Sequence, residues 1–236
     1  MEAALYLIPV TLGDTPISNV LPTYNKEIIL SIRHFIVEEL RTARRFLKAV
    51  EKSIDIDAIT FYEMGKHADA SRFSQYLEPL RKGLPVGVIS EAGCPAVADP
   101  GADVVAIAQR EGLRVVPLVG PSSILLAVMA SGFNGQSFAF HGYLPIDASA
   151  RSKRLKQLES RSAAEHQTQL FIETPYRNEK LMADLLATCN PQTKLCIAAG
   201  LTTEQEYVRS QSIRDWKKNG LPQISKIPTI FAIYAG

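Results

Sequence analysis

Apolar and polar positions along this chain follow two alternating periods, and the switch between them recurs almost from end to end. Residues 4–9 (ALYLIP) are continuously apolar, the pattern of a strand covered on both faces, and a loop follows at 10–14. A helical period at 25–33 leads into a short apolar run at 34–37 and then a cationic helix at 40–52. Residues 59–62 read as a strand, 70–82 as a helix, and 86–90 (VGVIS) as a second fully covered strand. A helix at 103–110 and a strand at 113–118 close this half. Continuous apolar strands alternating with helices predict a parallel sheet with helices on both faces.

The second half has a different grammar. Residues 122–130 are helical, 138–144 (FAFHGYL) alternate like a strand, and 150–162 form a strongly basic helix. A strand at 169–173, a helix at 178–188, a strand at 194–199, a short helix at 213–219 and a last strand at 229–234 (TIFAIY) follow. Strands here return through hairpins as well as helices, which predicts a mixed sheet. The expected fold class is therefore α/β with two α/β domains. Residues 1–118 carry a mainly parallel sheet and 119–236 a mixed one, with the boundary near Val119-Gly120-Pro121. A chain of 236 residues is long enough for two domains that each bury a core.

Composition changes this picture little. Hydrophobic residues make up 46% and charged residues 21%, and the formal charge of +2 carries no overall nucleic-acid signature. Any such claim rests on local clusters. One is Arg41, Arg44, Arg45, Lys48 and Lys52, and the other is Arg151, Lys153, Arg154, Lys156 and Arg161. They are either solvated helix faces or, if they flank one cleft, a track for several phosphates. Cys94, Cys189 and Cys196 are too few and too scattered for a disulfide framework, which suits a reduced compartment. No apolar run approaches the roughly 18 residues of a membrane helix. The N-terminus lacks a basic region, so no signal peptide is expected and the cytoplasm is the expected location, with no membrane partner.

The candidate chemistry lies in loops that follow strands. Residues 90–101 (SEAGCPAVADPG) leave a buried strand and enter a helix, the place where open α/β sheets bind ligands. Glycines there allow close approach of the backbone, prolines stiffen the loop, and Glu91 suits ribose hydroxyls or a cation. The alternative is a structured turn with Asp99 capping the helix. Val119–Ser123 occupies the same position after the next strand. Ser122 and Ser123 either cap the helix or offer its N-terminus to a carboxylate. With the loop at 9–14 these make a trio on one sheet edge. No G-x-G-x-x-G follows a strand, and no phosphate loop or nucleophile elbow occurs. His34, His67, His141 and His166 stand at no metal-ligand spacing, so no metal is expected.

Taken together, these segments resemble the tetrapyrrole methylase superfamily, the class III fold of S-adenosylmethionine-dependent methyltransferases. The branch they resemble most methylates a cytidine ribose 2′-hydroxyl in small-subunit ribosomal RNA. The family pattern LYxVxTPIGNLxD is echoed at 5–14, EDTR becomes Glu38-Glu39-Leu40-Arg41, and SDAGTPxxxDPG becomes 90–101. VVPxPGPSA is matched at 115–123, GFLP at 142–145, and FYExPxR at 171–177.

The resemblance implies a homodimer with S-adenosyl-L-methionine folded over in a cleft between the domains and held mainly by backbone groups. It places Leu12, Glu91, Ala92, Gly93, Pro95, Ser122 and Ser123 around that cofactor, with Phe171, Ile172, Pro228 and Thr229 from the second domain. Glu38, Glu39 and Arg41 are the catalytic candidates on the acceptor side, the alternative being ordinary solvated charges. ARELTK reads Ala198-Ala199-Gly200-Leu201-Thr202-Thr203 here, and the extra C-terminal region of many RNA enzymes has no counterpart after residue 236. Both departures fall on the acceptor side. The expected activity is methyl transfer to an acceptor, with an RNA ribose 2′-hydroxyl first. A tetrapyrrole carbon is second, because the GDPxxFGR of those enzymes is missing. A non-catalytic S-adenosylmethionine-binding RNA factor is the rival from another class.

Overall fold

The computed structural model describes residues 2–65 and 70–236, so His67 lies outside the described residues. The chain divides into two units, one ending at Ser122 and the other spanning Ser123–Gly236. The division falls later than position 118 because residues 119–121 are tied to the first unit. Asn25 Nδ2 donates to Val119 O at 2.8 Å, and Cys94 Sγ donates to Pro121 O at 3.4 Å.

In the first unit five strands, β1 (Leu5–Leu7), β2 (His34–Val37), β3 (Thr60–Glu63), β4 (Val86–Ile89) and β5 (Val115–Pro117), form one sheet in the order β3-β2-β4-β1-β5. Every pairing is parallel. Central β4 is buried at all four positions while the edge strands β3 and β5 are half exposed, as a sheet covered on both faces requires. One face packs Tyr6, Ile8, Phe35, Val37 and Leu47, and the other packs Leu5, Ile36, Phe73, Val88 and Val104. The covering helices are α1 (Thr23–Ser31), α2 (Leu40–Val50), α3 (Phe73–Tyr76), α4 (Glu78–Arg81) and α5 (Gly101–Arg110). The single helix expected at 70–82 is a 3-10 turn at Ala70–Arg72 followed by two short helices. Pro79 explains the break, since its ring removes a backbone donor and disfavours helical geometry at the residue before it.

The second unit holds a mixed sheet. Its strands are β6 (Phe138–Tyr143), β7 (Thr168–Ile172), β8 (Lys194–Ala199), β9 (Tyr207–Ser212) and β10 (Thr229–Tyr234), in the order β6-β7-β10-β8-β9. β6 and β7 are parallel, whereas β10 runs antiparallel to both β7 and β8. β9 was not expected from the sequence. Its residues YVRSQS are half or fully exposed, and only the antiparallel ladder to β8 defines it. Helices α6 (Ser123–Ser131), α7 (Ala148–Glu165), α8 (Asn178–Thr188) and α9 (Ile213–Asn219) complete the unit. Its core gathers Leu155, Leu158, Phe171, Leu185, Trp216 and Phe231, and the Trp216 indole N–H donates to Leu195 O at 2.9 Å. Among the described residues no helix is long and apolar enough to cross a membrane.

Arg151 departs from the sequence reading. Instead of facing solvent with its basic neighbours it is 2% exposed. Its Nε donates to Asp184 Oδ2 at 2.6 Å, and its Nη1 donates to Pro145 O at 3.0 Å and Ile146 O at 2.6 Å. It locks α7 to α8 and to the loop before α7, and so is not available to an RNA phosphate.

Candidate functional site

In a parallel sheet all strands end at the same edge, so the loops after β1, β2, β4 and β5 meet there. Three of them converge on Gly93. Val10 N–H donates to Gly93 O at 3.0 Å, making an isolated bridge between the first loop and the long one. Gly93 has φ +70°, and a Cβ there would stand 3.1 Å from a Leu12 methyl and 3.4 Å from Pro121 O. Only glycine takes that conformation cheaply, and a side chain there would press on Leu12. Gly120 sits tighter still, since a Cβ would lie 2.2 Å from Pro9 Cβ. Pro95 is buried, Leu12 half-buried, and Glu91 and Ala92 exposed.

Asp99 shapes the rest of the long loop. Its Oδ1 accepts the Ala96 N–H at 3.0 Å and the Gly101 N–H at 2.7 Å, so it ties the loop and serves the first turn of α5. Ala96 and Ala98 stand in the left-handed region at φ 66° and 63°, a strain that this bonding supports. Ser90 is 6% exposed and its hydroxyl has no partner among the described residues. An orphaned buried hydroxyl at a strand's carboxyl end is a donor waiting for a ligand.

The loop after β2 brings acids to the same edge. Glu38 Oε2 accepts the Glu91 N–H at 3.1 Å, and Thr42 Oγ1 donates to Glu91 Oε1 at 2.5 Å. Glu39 is the N-cap of α2, accepting from Arg41 N at 2.9 Å and Thr42 N at 2.7 Å. Those backbone bonds, the Arg41 one foremost, hold its carboxyl below the usual range. Arg41 is exposed in the first turn. Thus the long loop takes part in two contact groups, Glu91 with Glu38 and Thr42, and Gly93 with Leu12 and Pro121. Burial pushes the Cys94 thiol up in the same loop.

The candidates of the second unit also share one edge. Because β10 is antiparallel to β7 and β8, its start meets their ends, and Ile230 pairs with Ile172 while Thr229 pairs with Ala199. Phe171 is wholly buried, its ring 6.2 Å from that of Phe231, so its side chain belongs to the core and its backbone is what it has to offer. Pro228 O accepts from Gly200 N at 2.9 Å, and Thr229 Oγ1 donates to Ile227 O at 2.9 Å. Ser123 opens α6, preceded by Ser122.

Three groups at these edges escaped the sequence reading. The buried Glu173 carboxylate accepts from Arg177 Nε at 3.0 Å and from Thr174 N at 2.6 Å, bracing the loop after β7. Asn178 Nδ2 reaches Ile227 O at 2.8 Å and pins the segment before β10. Thr42 is the partner of Glu91. The first pair was visible as the E and R of the 171–177 motif, whereas Thr42 and Asn178 carry no local signal. Among the described residues no group of three or more His, Cys, Asp and Glu is arranged to hold a metal ion. His141 bonds Gln169 Oε1 at 2.7 Å and His34 faces the Tyr62 hydroxyl at 3.5 Å. Burial lowers the pKa of both.

Comparison with known proteins fits this geometry. The relatives include ribosomal RNA small subunit methyltransferase I of Vibrio cholerae, 28% identical over 89% of this chain and 69% of its own length. The protein of that name from Mesorhizobium japonicum is 31% identical over 91% of this chain and 69% of its own. That of Pseudomonas aeruginosa is 31% identical over 64% of this chain and 53% of its own. This chain therefore spans between about half and seven tenths of the length of these relatives. Among solved structures, the methyltransferase CobJ superposes with a TM-score of 0.63 at 14% identity, over 98% of this chain and 94% of its own. Uroporphyrin-III C-methyl transferase from Thermus thermophilus, solved with S-adenosyl homocysteine, gives 0.59 at 16%, over 98% and 97%. The model of the tetrapyrrole (corrin/porphyrin) methylases matches residues 26–216, and the chain belongs to that family.

Proposed function

We propose that this chain is an S-adenosylmethionine-dependent methyltransferase whose acceptor is a ribose 2′-hydroxyl of small-subunit ribosomal RNA. The observation that carries the cofactor is the Gly93 cradle, where three loops at the carboxyl edge of a parallel sheet close around a glycine at φ +70° that no side chain could replace without crowding Leu12. The acceptor rests on the relatives at 28–31% identity, which are named as ribosomal RNA small subunit methyltransferases. The solved tetrapyrrole enzymes, at 14% and 16%, share the fold alone.

The residues suit a cation without phosphate. Glu91 lies in the same loop with its carboxylate fixed by Thr42, and the Ser90 hydroxyl is unpartnered among the described residues. Leu12, Ala92, Gly93, Pro95, Ser122 and Ser123 would hold S-adenosylmethionine from the first unit. On the second unit, Ile172, Pro228, Thr229 and the Phe171 backbone share one sheet edge, which suits binding through backbone groups. When bound, the cofactor supplies an electrophilic methyl on a sulfonium. The protein's task is to orient the acceptor oxygen, exclude water and accept the hydroxyl proton. Glu38 is the proposed base, because the Glu39 carboxylate is taken up in capping α2. Arg41 orients the acceptor. The enzyme acts as a homodimer in the cytoplasm.

Calorimetric titration with S-adenosylhomocysteine tests the cofactor half, and methyl transfer to small-subunit ribosomal RNA from cells lacking this protein tests the acceptor half. Binding without transfer to that RNA, but with transfer to a tetrapyrrole, would replace the acceptor. Binding with no transfer to either would leave an RNA-binding factor.

A further inference from the structure

The two basic helices differ in what their charges already do. On α7, Arg151 is buried against Asp184, Arg154 Nη2 lies 3.2 Å from His141 Nδ1, and Arg161 Nε donates to Glu165 at 3.0 Å. Lys153 and Lys156 are what remain of the five. On α2, Arg41, Arg44, Arg45 and Lys48, with Lys52 just beyond, fall at i, i+3, i+4, i+7 and i+11. At 3.6 residues per turn the four helical positions make one stripe, opposite the buried Ala43, Leu47 and Val50, whereas Lys52 follows the extended C-cap Glu51. All five are exposed. Lys48 is engaged, its Nζ donating to Ile54 O at 2.7 Å and Lys52 O at 3.1 Å. The Arg44 guanidinium lies over the Phe61 ring at 5.5 Å, a contact that uses its face and none of its N–H groups. Arg45 and Lys52 have no side-chain partner among the described residues.

Charge is also sorted along this helix. Its start carries the acidic edge of Glu38, Glu39 and Glu91, tied together by hydrogen bonds through Thr42 and the Glu91 N–H, and its body is cationic. A polyanion is repelled by the first and attracted by the second, whereas a sulfonium prefers the reverse. Arg41 and Arg45 stand one turn apart, about 6 Å along the axis.

We infer that the α2 stripe, not α7, is the track for the phosphates of the acceptor strand, running along Arg45 and Arg44 and ending at Arg41 beside the acidic edge. The assignment rests on the RNA-methyltransferase reading above, and it adds which surface holds the strand and in what direction the reacting sugar lies. Each neutralised phosphate of a single strand contributes about 0.7 to the slope of log affinity against log salt.

The test is the salt dependence of binding of a single-stranded oligoribonucleotide of small-subunit ribosomal sequence. It is measured for the wild type, R44Q/R45Q and K153Q/K156Q, with S-adenosylhomocysteine affinity and thermal midpoint recorded for each. All four positions are exposed or solvent-facing, so folding should be retained, and the midpoint checks it. R44Q/R45Q is expected to bind more weakly, with a slope shallower by about 1.4, while S-adenosylhomocysteine affinity is unchanged and K153Q/K156Q behaves as wild type. A slope unchanged in R44Q/R45Q, or lost in K153Q/K156Q instead, overturns the track while leaving the RNA reading standing. Wild type that binds S-adenosylhomocysteine but shows no salt-dependent RNA binding overturns both.

Discussion

Arg151 offers the sharpest energetic test of the second unit. Substitution by Met keeps the buried stem and removes the guanidinium, leaving Asp184 Oδ2 and the carbonyls of Pro145 and Ile146 without their donor. Removing one partner of a buried pair costs about 3–5 kcal/mol. The Asp184 side chain keeps 29% exposure against 3% for Arg151, so water recovers part of its charge. We therefore expect the lower part of that range, about 3–4 kcal/mol, for Arg151→Met. In a chain of this size each kcal/mol moves the midpoint by about 2–4 °C, which gives a loss of about 6–16 °C. The assay is built in, because the protein has a single tryptophan, Trp216, buried in the same unit. Its fluorescence follows this unit's unfolding irrespective of the other. Lys153→Met on the exposed face is the control, expected within about 0.5 kcal/mol of wild type. A midpoint for Arg151→Met within about 2 °C of wild type would refute the claim that this arginine holds α7 in place.

Other consequences can be measured as directly. Gly120→Ala sets a Cβ against Pro9, and should cost about 1–3 kcal/mol and weaken S-adenosylhomocysteine binding; an unaltered midpoint would mean the loops have slack. Glu38→Gln keeps an acceptor for the Glu91 N–H, so it should lower kcat while leaving S-adenosylhomocysteine affinity intact; unchanged kcat would remove Glu38 as the base. Glu51, bonded to Lys26 and the Ser53 N–H, is held down to about 2 from the ordinary carboxylate value. Its folded pKa lies below the unfolded one, so its stabilisation is present above about pH 4.5 and is lost as pH falls toward about 2. The midpoint difference between wild type and Glu51→Gln should close over that window, and a constant difference would contradict the pairing. Burial pushes the Cys189 thiol up to about 12 and raises that of Cys196, so a disulfide reagent at neutral pH should reach Cys94 first and the other two only on unfolding.

How much of this was legible depended on whether the signal was local. Strands buried on both faces, such as 86–89 and 229–234, announce themselves by unbroken apolar runs, and the helix at 178–188 and strand at 194–199 appear with the expected bounds. β9 did not, because an exposed edge strand has no apolar periodicity and is defined only by its ladder to β8. Arg151 was misread because it sits in a basic run. The corrective signal was present, for it lies on the same helical stripe as Leu155, Leu158 and Ser162, all buried. At the site, the strand-loop-helix spacing and the family motifs located the long loop. Its contacts with Leu12, Thr42 and Pro121 join positions far apart in the chain, and such closures are properties of the folded sheet edge.

The central claim, that the loops meeting at Gly93 hold S-adenosylmethionine, is tested most directly by titrating the purified protein with S-adenosylhomocysteine in a calorimeter, beside Gly93→Ala. The account predicts saturable one-site binding to the wild type and at least a tenfold loss in the variant, from a side chain placed in the cradle at a positive φ. Absence of binding to the wild type, or equal affinity in the variant, would contradict it.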